Sequence, residues 1–208
     1  MARLSSPLLS VTASGKMGNG TVYSSWNGRA YAKQYTSPSN PNTAAQNSQR
    51  VMFHFLTNAW SHIATVAKAT WQEPASRTRI TPANAFVSYN LDRWKNFLMP
   101  QQQFNQAITS SGIGIAFHNT SGGAGFITED ATPSTTTNIW ALVVFRIATT
   151  GLAATKNACV AIRPLSDNSD VYIIEEPVPP GTYYHILQFI NKDGKTGTAH
   201  QTAAITVT

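Results

Sequence analysis

Residues 40–69, NPNTAAQNSQRVMFHFLTNAWSHIATVAKA, decide how the rest of the chain is read. Thr43 is followed three residues later by Gln46, so the Thr hydroxyl can cap a first turn while the Gln side chain reaches back. Val51, Phe55, Ala59, Ile63 and Val66 then recur at three or four, and Met52, Leu56, Trp60 and Ala67 widen the stripe. That spacing predicts one long helix that buries much of its circumference and needs a packing partner.

The segments on either side supply candidate partners. Before the helix, short extended runs are punctuated by Asn19-Gly20 and Asn27-Gly28, pairs suited to the positive φ of tight hairpin turns. The second pair predicts a hairpin of Val22–Trp26 against Arg29–Tyr35. Residues 1–14, with Pro7, read as an extended arm. After the helix, Trp71 closes its end, Pro74 is expected to stop helical propagation, and Thr81-Pro82 opens a second helix through Phe86, Asn90 and Trp94. Residues 101–128 lose the helical period, and Gly122, Gly123 and Gly125 read as a flexible connector. From residue 129 onward the runs WALVVFRIA, ACVAIRPL, VYIIEEPV, TYYHILQFIN and TAAITV alternate with turn formers. The expected fold class is α+β: a hairpin and two-helix module over 15–128, then an all-β sandwich of immunoglobulin or fibronectin type over 129–208.

Charge and chemistry narrow the function. The 208 residues are 42% hydrophobic but only 12% charged, so the surface is mostly neutral and polar, which suits packing against other subunits. Residues 1–128 carry ten basic residues and two acids, residues 129–208 five and seven. Such a basic front admits nucleic acid as a partner, with Arg29, Lys33 and Arg50 interleaved among Trp26, Tyr31 and Tyr35. The lone Cys159, in ACVAI, reads as a buried strand residue. His54 and His62 lie eight apart with no carboxylate or Cys at helical spacing, so no metal site is expected, and the glycine-rich stretch lacks the Lys-Ser/Thr ending of a phosphate loop. Asp167 with Asp170 and Glu175 with Glu176 read as solvated strand edges. No catalytic or cofactor-binding residues are expected, and the chain is read as a soluble, non-membrane protein made in the cytoplasm without a cleaved export signal.

Over about residues 5–100 the chain resembles a family of small uncharacterised virion proteins of tailed bacteriophages and prophages. The likeness rests on Gly15-Lys16-x-Gly18-Asn19, on WNGRAYAKQY and on NPNTAAQNSQRVMF with the later Trp60 and Trp71. It implies a capsid-associated, head-to-tail or tail component that binds other virion proteins and copies of itself, with the sandwich appended for display or trimer contacts. Trp26, Arg29, Tyr31, Tyr35, Arg50 and Trp60 are the candidate subunit-interface residues. The alternative is a cytoplasmic nucleic-acid-binding protein.

Overall fold

The computed structural model describes residues 2–3, as backbone, and 14–18, 20–26, 28–37, 39–135, 138–165 and 171–208. It divides into two compact units, Met1–Pro41 and Asn42–Thr208.

The first unit is a four-stranded antiparallel sheet. The expected hairpin is present as β3 (Thr21–Trp26) and β4 (Arg29–Gln34), with Trp26 opposite Arg29 across the turn and Gly28 at φ 73°. Asn19 and Asn27, the other halves of the expected turn pairs, lie outside the described residues, as do residues 4–13 of the expected arm. Two short strands flank the hairpin: β1 (Ala2–Arg3) pairs with β4, and β2 (Gly15–Met17) pairs with β3. None of the described side chains of this unit is buried.

In the second unit, Thr43 caps α1 (Ala44–His62) by accepting from Gln46 N at 3.3 Å. The helix is shorter than its period predicts. Ile63 adopts an extended backbone, and the chain restarts as α2 (Thr65–Ala69). This break keeps Ile63, Ala67 and Trp71 in the core while Val66, expected on the stripe, turns out to solvent at 79% exposure. The stretch around Pro74 is helical, as α3 (Gln72–Thr78). Pro74 sits in its first turn, where a backbone N–H has no intrahelical acceptor, so the ring breaks nothing. Thr81 caps α4 (Pro82–Lys95) with Pro82 in the first turn, as the sequence predicts.

The C-terminal runs form a β-sandwich, and with the preceding hairpin and helices the fold is α+β. One sheet has the order β11-β10-β7-β8, with β12 also on β10; the other is β5-β6-β9. Their strands are β5 (Ile115–Gly122), β6 (Ile127–Pro133), β7 (Ile139–Ile147), β8 (Cys159–Pro164), β9 (Val171–Glu175), β10 (Gly181–Asn191), β11 (His200–Gln201) and β12 (Ile205–Val207). The tract Gly122–Gly125, expected as a connector, is instead the turn of the β5–β6 hairpin. Glycine is required there by close approach: a Cβ on Gly122 would stand 2.1 Å from the Thr206 carbonyl oxygen.

Helices and sandwich are built on one sheet rather than side by side. The larger sheet carries a core on each face. On one face Trp140, Val143, Phe145, Ile162, Ile186 and Ile190 pack with Met52, Phe55, Leu56, Phe86 and Trp94 of the helices. On the other, Leu142, Val144, Leu187 and Phe189 meet Ala131, Val171 and Ile173 of the smaller sheet. A bulge makes this possible at the start of β7. Ile190 faces Ala141 and Asn191 faces Ile139, leaving Trp140 unpaired. The extra residue lets Ile139 join the inter-sheet core while Trp140 turns to the helices, 5.1 Å from the Phe55 ring centre. The boundary expected at 128/129 therefore falls inside β6, because the hydrophobic faces of the helices and of β7, β8 and β10 bury one another.

Candidate functional site

Two constellations carry polar chemistry. In the N-terminal sheet, strand pleating sorts the residues by face. Register places Trp26 opposite Arg29, Ser24 opposite Tyr31, and Val22 between Lys33 and Lys16. Lys16 Nζ stands 3.7 Å from the Tyr35 ring centre, a cation–π contact. Four of the expected interface residues, Trp26, Arg29, Tyr31 and Tyr35, thus gather on one face with Lys16 and Lys33. Residues 1–41 contain no Asp or Glu, and Trp26 is 73% exposed. Arg50 and Trp60 belong to the other unit and to α1. The Arg50 guanidinium donates to Asn42 Oδ1, and Trp60 is half-buried, packed on Phe86 at 5.4 Å and overlain by Lys68. Trp60 is therefore a member of the helical core's rim rather than a free contact.

The second constellation lies between the sheets of the sandwich, and the sequence reading missed it. Arg146 and His185 sit directly opposite each other on β7 and β10, and Glu129 and Glu175 sit one step apart on β6 and β9. All four point into the sandwich. His185 Nδ1 is 2.5 Å from Glu129 Oε1, and His185 Nε2 lies 3.2 Å from Glu175 Oε2 without hydrogen-bond alignment. Arg146 pairs with Glu175 and overlies the Tyr183 ring. Thr120 donates to the other oxygen of Glu129 at 2.7 Å, and Thr202 accepts from the His185 backbone N–H. Burial alone would push the His185 imidazole down, but the hydrogen bond to Glu129 and the nearby charge of Glu129 and Glu175 outweigh it and hold it above its ordinary value. Two cations then balance two carboxylates in a nearly closed space. With His185 and Glu129 both 1% exposed, the cluster fastens the sheets to each other.

A signal for it existed. Arg146 continues the inward period of Leu142 and Val144, and His185 that of Leu187 and Phe189, so each is a charge where the alternation demands an apolar residue. Glu175, expected at a solvated edge, is inward for the same reason, following Val171 and Ile173 on β9. Asp167 and Asp170 lie outside the described residues.

At the open side of the sandwich His118 and His200 meet, with Nε2 atoms 3.0 Å apart and both rings half-buried. Burial and then the neighbouring His118 lower the His200 imidazole, against a smaller opposing pull from Glu129. His54 and His62 are exposed on α1, bonded to Asn58 and Ser61. Among the described residues no group of three or more His, Cys, Asp or Glu is arranged to hold a metal ion. Cys159 is 1% exposed, and burial pushes its thiol far up, which leaves it unreactive.

A third polar element braces the helices' exit. Asp193, in the turn after β10, accepts from Thr109 N, Ser110 N and Ser110 Oγ through one oxygen and from Lys195 N through the other. Gln101 donates to the Asp193 carbonyl and is itself held by Asn90 of α4. These bonds lower the Asp193 carboxyl below its ordinary value despite its burial.

No helix among the described residues is long and apolar enough to cross a membrane. No protein-family model and no curated protein sequence matches the chain. Solved structures do. A family 76 glycoside hydrolase from a bovine Bacteroides thetaiotaomicron strain is 8% identical over 46% of this chain and 20% of its own, with a TM-score of 0.33. Catalytically inactive OgpA of Akkermansia muciniphila, bound to an O-glycopeptide substrate, is 13% identical over 59% of this chain and 35% of its own, at 0.41. The soluble domain of PmoD from Methylocystis is 15% identical over 42% and 77%, at 0.31. The matched parts span about a fifth to a third of the first two structures, and the chain is similar to all three only in part.

Proposed function

We propose that this protein is a structural subunit of a virion, which binds copies of itself and other virion proteins through its N-terminal sheet. One observation carries the reading: a four-stranded sheet in which none of the described side chains is buried. Sheets gain stability by covering an apolar face, and one that buries none of its described side chains is ready to be completed by a partner. Its edge strands, β1 and β2, are only two and three residues long, which discourages open-ended strand addition and favours contact through a face. The virion assignment itself rests on the likeness of residues 5–100 to phage structural proteins and on the low charge.

Trp26→Ala is the discriminating variant. Because Trp26 is 73% exposed, its removal leaves the fold of the isolated chain unchanged by circular dichroism. In an interface, truncating such a residue weakens association by about 2 kcal/mol, roughly 30-fold in dissociation constant. Sedimentation of both proteins over a concentration series reads this directly, and an unchanged association constant defeats the proposal. The source phage's purified virions should in addition contain the chain in many copies.

The alternative, nucleic-acid binding, is favoured by the cation-rich face of Lys16, Arg29 and Lys33 beside Trp26, Tyr31 and Tyr35. Binding of a single-stranded oligonucleotide that falls steeply between about 50 and 200 mM salt, with self-association absent, would select it.

A further inference from the structure

We infer that His118 and His200 form a two-imidazole site for a late divalent first-row transition ion, which clips the edges of the two sandwich sheets together. His118 is on β5, the edge of the smaller sheet, and His200 on β11, the edge of the larger. Register turns both inward. His118 shares a face with Thr120, which bonds Glu129 across β5–β6, and His200 stands opposite the core residue Leu187. The two imidazoles therefore face each other across the seam from opposite sheets.

The two imidazoles are hydrogen-bonded to each other through Nε2. The Nε2 atoms are 3.0 Å apart while the ring centres are 4.0 Å apart. The ring planes are tilted by 52°, and each ring brings its Nε2 to the same point of the seam. Imidazole nitrogens binding one Zn²⁺ at about 2.0–2.1 Å from the metal are themselves separated by about 3 Å when adjacent, so an ion that takes the place of the shared proton, which moves to the far ring nitrogen, finds both Nε2 atoms at the spacing it needs.

The surroundings favour a cation. Glu129 is the carboxylate whose charge reaches His200, and neither ring nitrogen pair is blocked by a cationic side chain on β5, β6, β10 or β11 apart from His185, which is already held by Glu129 and Glu175. Neutral imidazoles suit Zn²⁺, Ni²⁺ and Cu²⁺, with water completing the coordination of a site that has only two protein ligands. Binding to the folded chain and not to the unfolded one raises stability by mass action.

The test uses the full chain at about pH 7.5, above the ordinary imidazole range. Titration with Zn²⁺ in a calorimeter should give one saturable ion per chain, and Tm should rise with Zn²⁺ concentration. His118→Ala and His200→Ala should each remove the saturable phase, while the double variant His54→Ala/His62→Ala keeps it. Ni²⁺ added to unmodified, isotopically labelled protein should broaden amide signals around residues 118 and 200 first. That measurement needs no variant and stands even where a substitution loosens the seam. Absence of saturable Zn²⁺ binding, its survival in His118→Ala/His200→Ala, or Ni²⁺ broadening centred on α1 overturns the inference.

Discussion

Replacing Asp193 with Ala should cost more stability than any other single change in the loops of the second unit. Asp193 is 1% exposed, and the cost of burying its charge is outweighed by the hydrogen bonds the carboxylate accepts. It accepts four hydrogen bonds. Bonds to a charged acceptor contribute about 1.5–3 kcal/mol each. The Thr109 and Lys195 donors are on exposed residues that water can serve, whereas the two donors of Ser110 are on a half-buried residue beneath the turn. Counting those two alone gives a loss of about 3–6 kcal/mol at neutral pH, a large fraction of the roughly 5–15 kcal/mol that holds a domain folded. The penalty should depend on pH in one direction. A carboxyl lowered on folding contributes stability that is fully present above its unfolded value, near 3.8, and is lost as pH falls through the lower folded value. Urea unfolding at neutral pH and at about pH 2.5 therefore should show the gap between wild type and Asp193→Ala narrowing on acidification, with the urea slope unchanged. A loss below about 1 kcal/mol, or a gap that stays constant with pH, refutes the reasoning.

His185→Gln leaves Glu129 buried without a cation, while Glu175 keeps Arg146, and should cost about 3–5 kcal/mol. Since the His185 value is raised on folding, its contribution is fully present below the ordinary 6.5 and is lost as pH rises through the folded value. Wild type should therefore weaken as pH rises above about 6.5, and the variant should lack that slope in urea midpoints measured across pH. Phe145→Ala, at a fully buried site on the helix side of β7, should lose about 3–5 kcal/mol. Because helices and sheet share that core, far-ultraviolet circular dichroism and Trp fluorescence should still report a single coincident transition; separate transitions would contradict a shared core. Thr81→Ala removes the side-chain cap of α4 and should cost about 1 kcal/mol, measured by thermal unfolding.

What the chain discloses by itself is what depends on neighbours in sequence. Thr43 and Thr81 mark helix starts because a cap is satisfied within three residues, and the five C-terminal runs are strands because their side chains alternate about turn formers. β6 is not among the strands the sequence shows, because ITEDATP carries two acids and a Pro, and only pairing with β5 and β9 on either side makes it one. The break at Ile63 is of the same kind, since nothing local forbids a helix there and only the demand that Ile63, Ala67 and Trp71 all reach one core bends the chain. The union of helices and sandwich was likewise decided by tertiary packing, as a period-2 strand tells that β7 has two faces but not that both are covered. The polar cluster shows the limit most plainly. Arg146 and His185 stand out in their own strands as charges at inward positions. That Glu129 and Glu175 meet them, and that His118 meets His200, follows from strand order and register between two sheets, which are set by contacts more than fifty residues apart in sequence between Glu129 and His185 and eighty between the two histidines. Local pattern determines which way a side chain points, and only the closed sandwich determines what it points at.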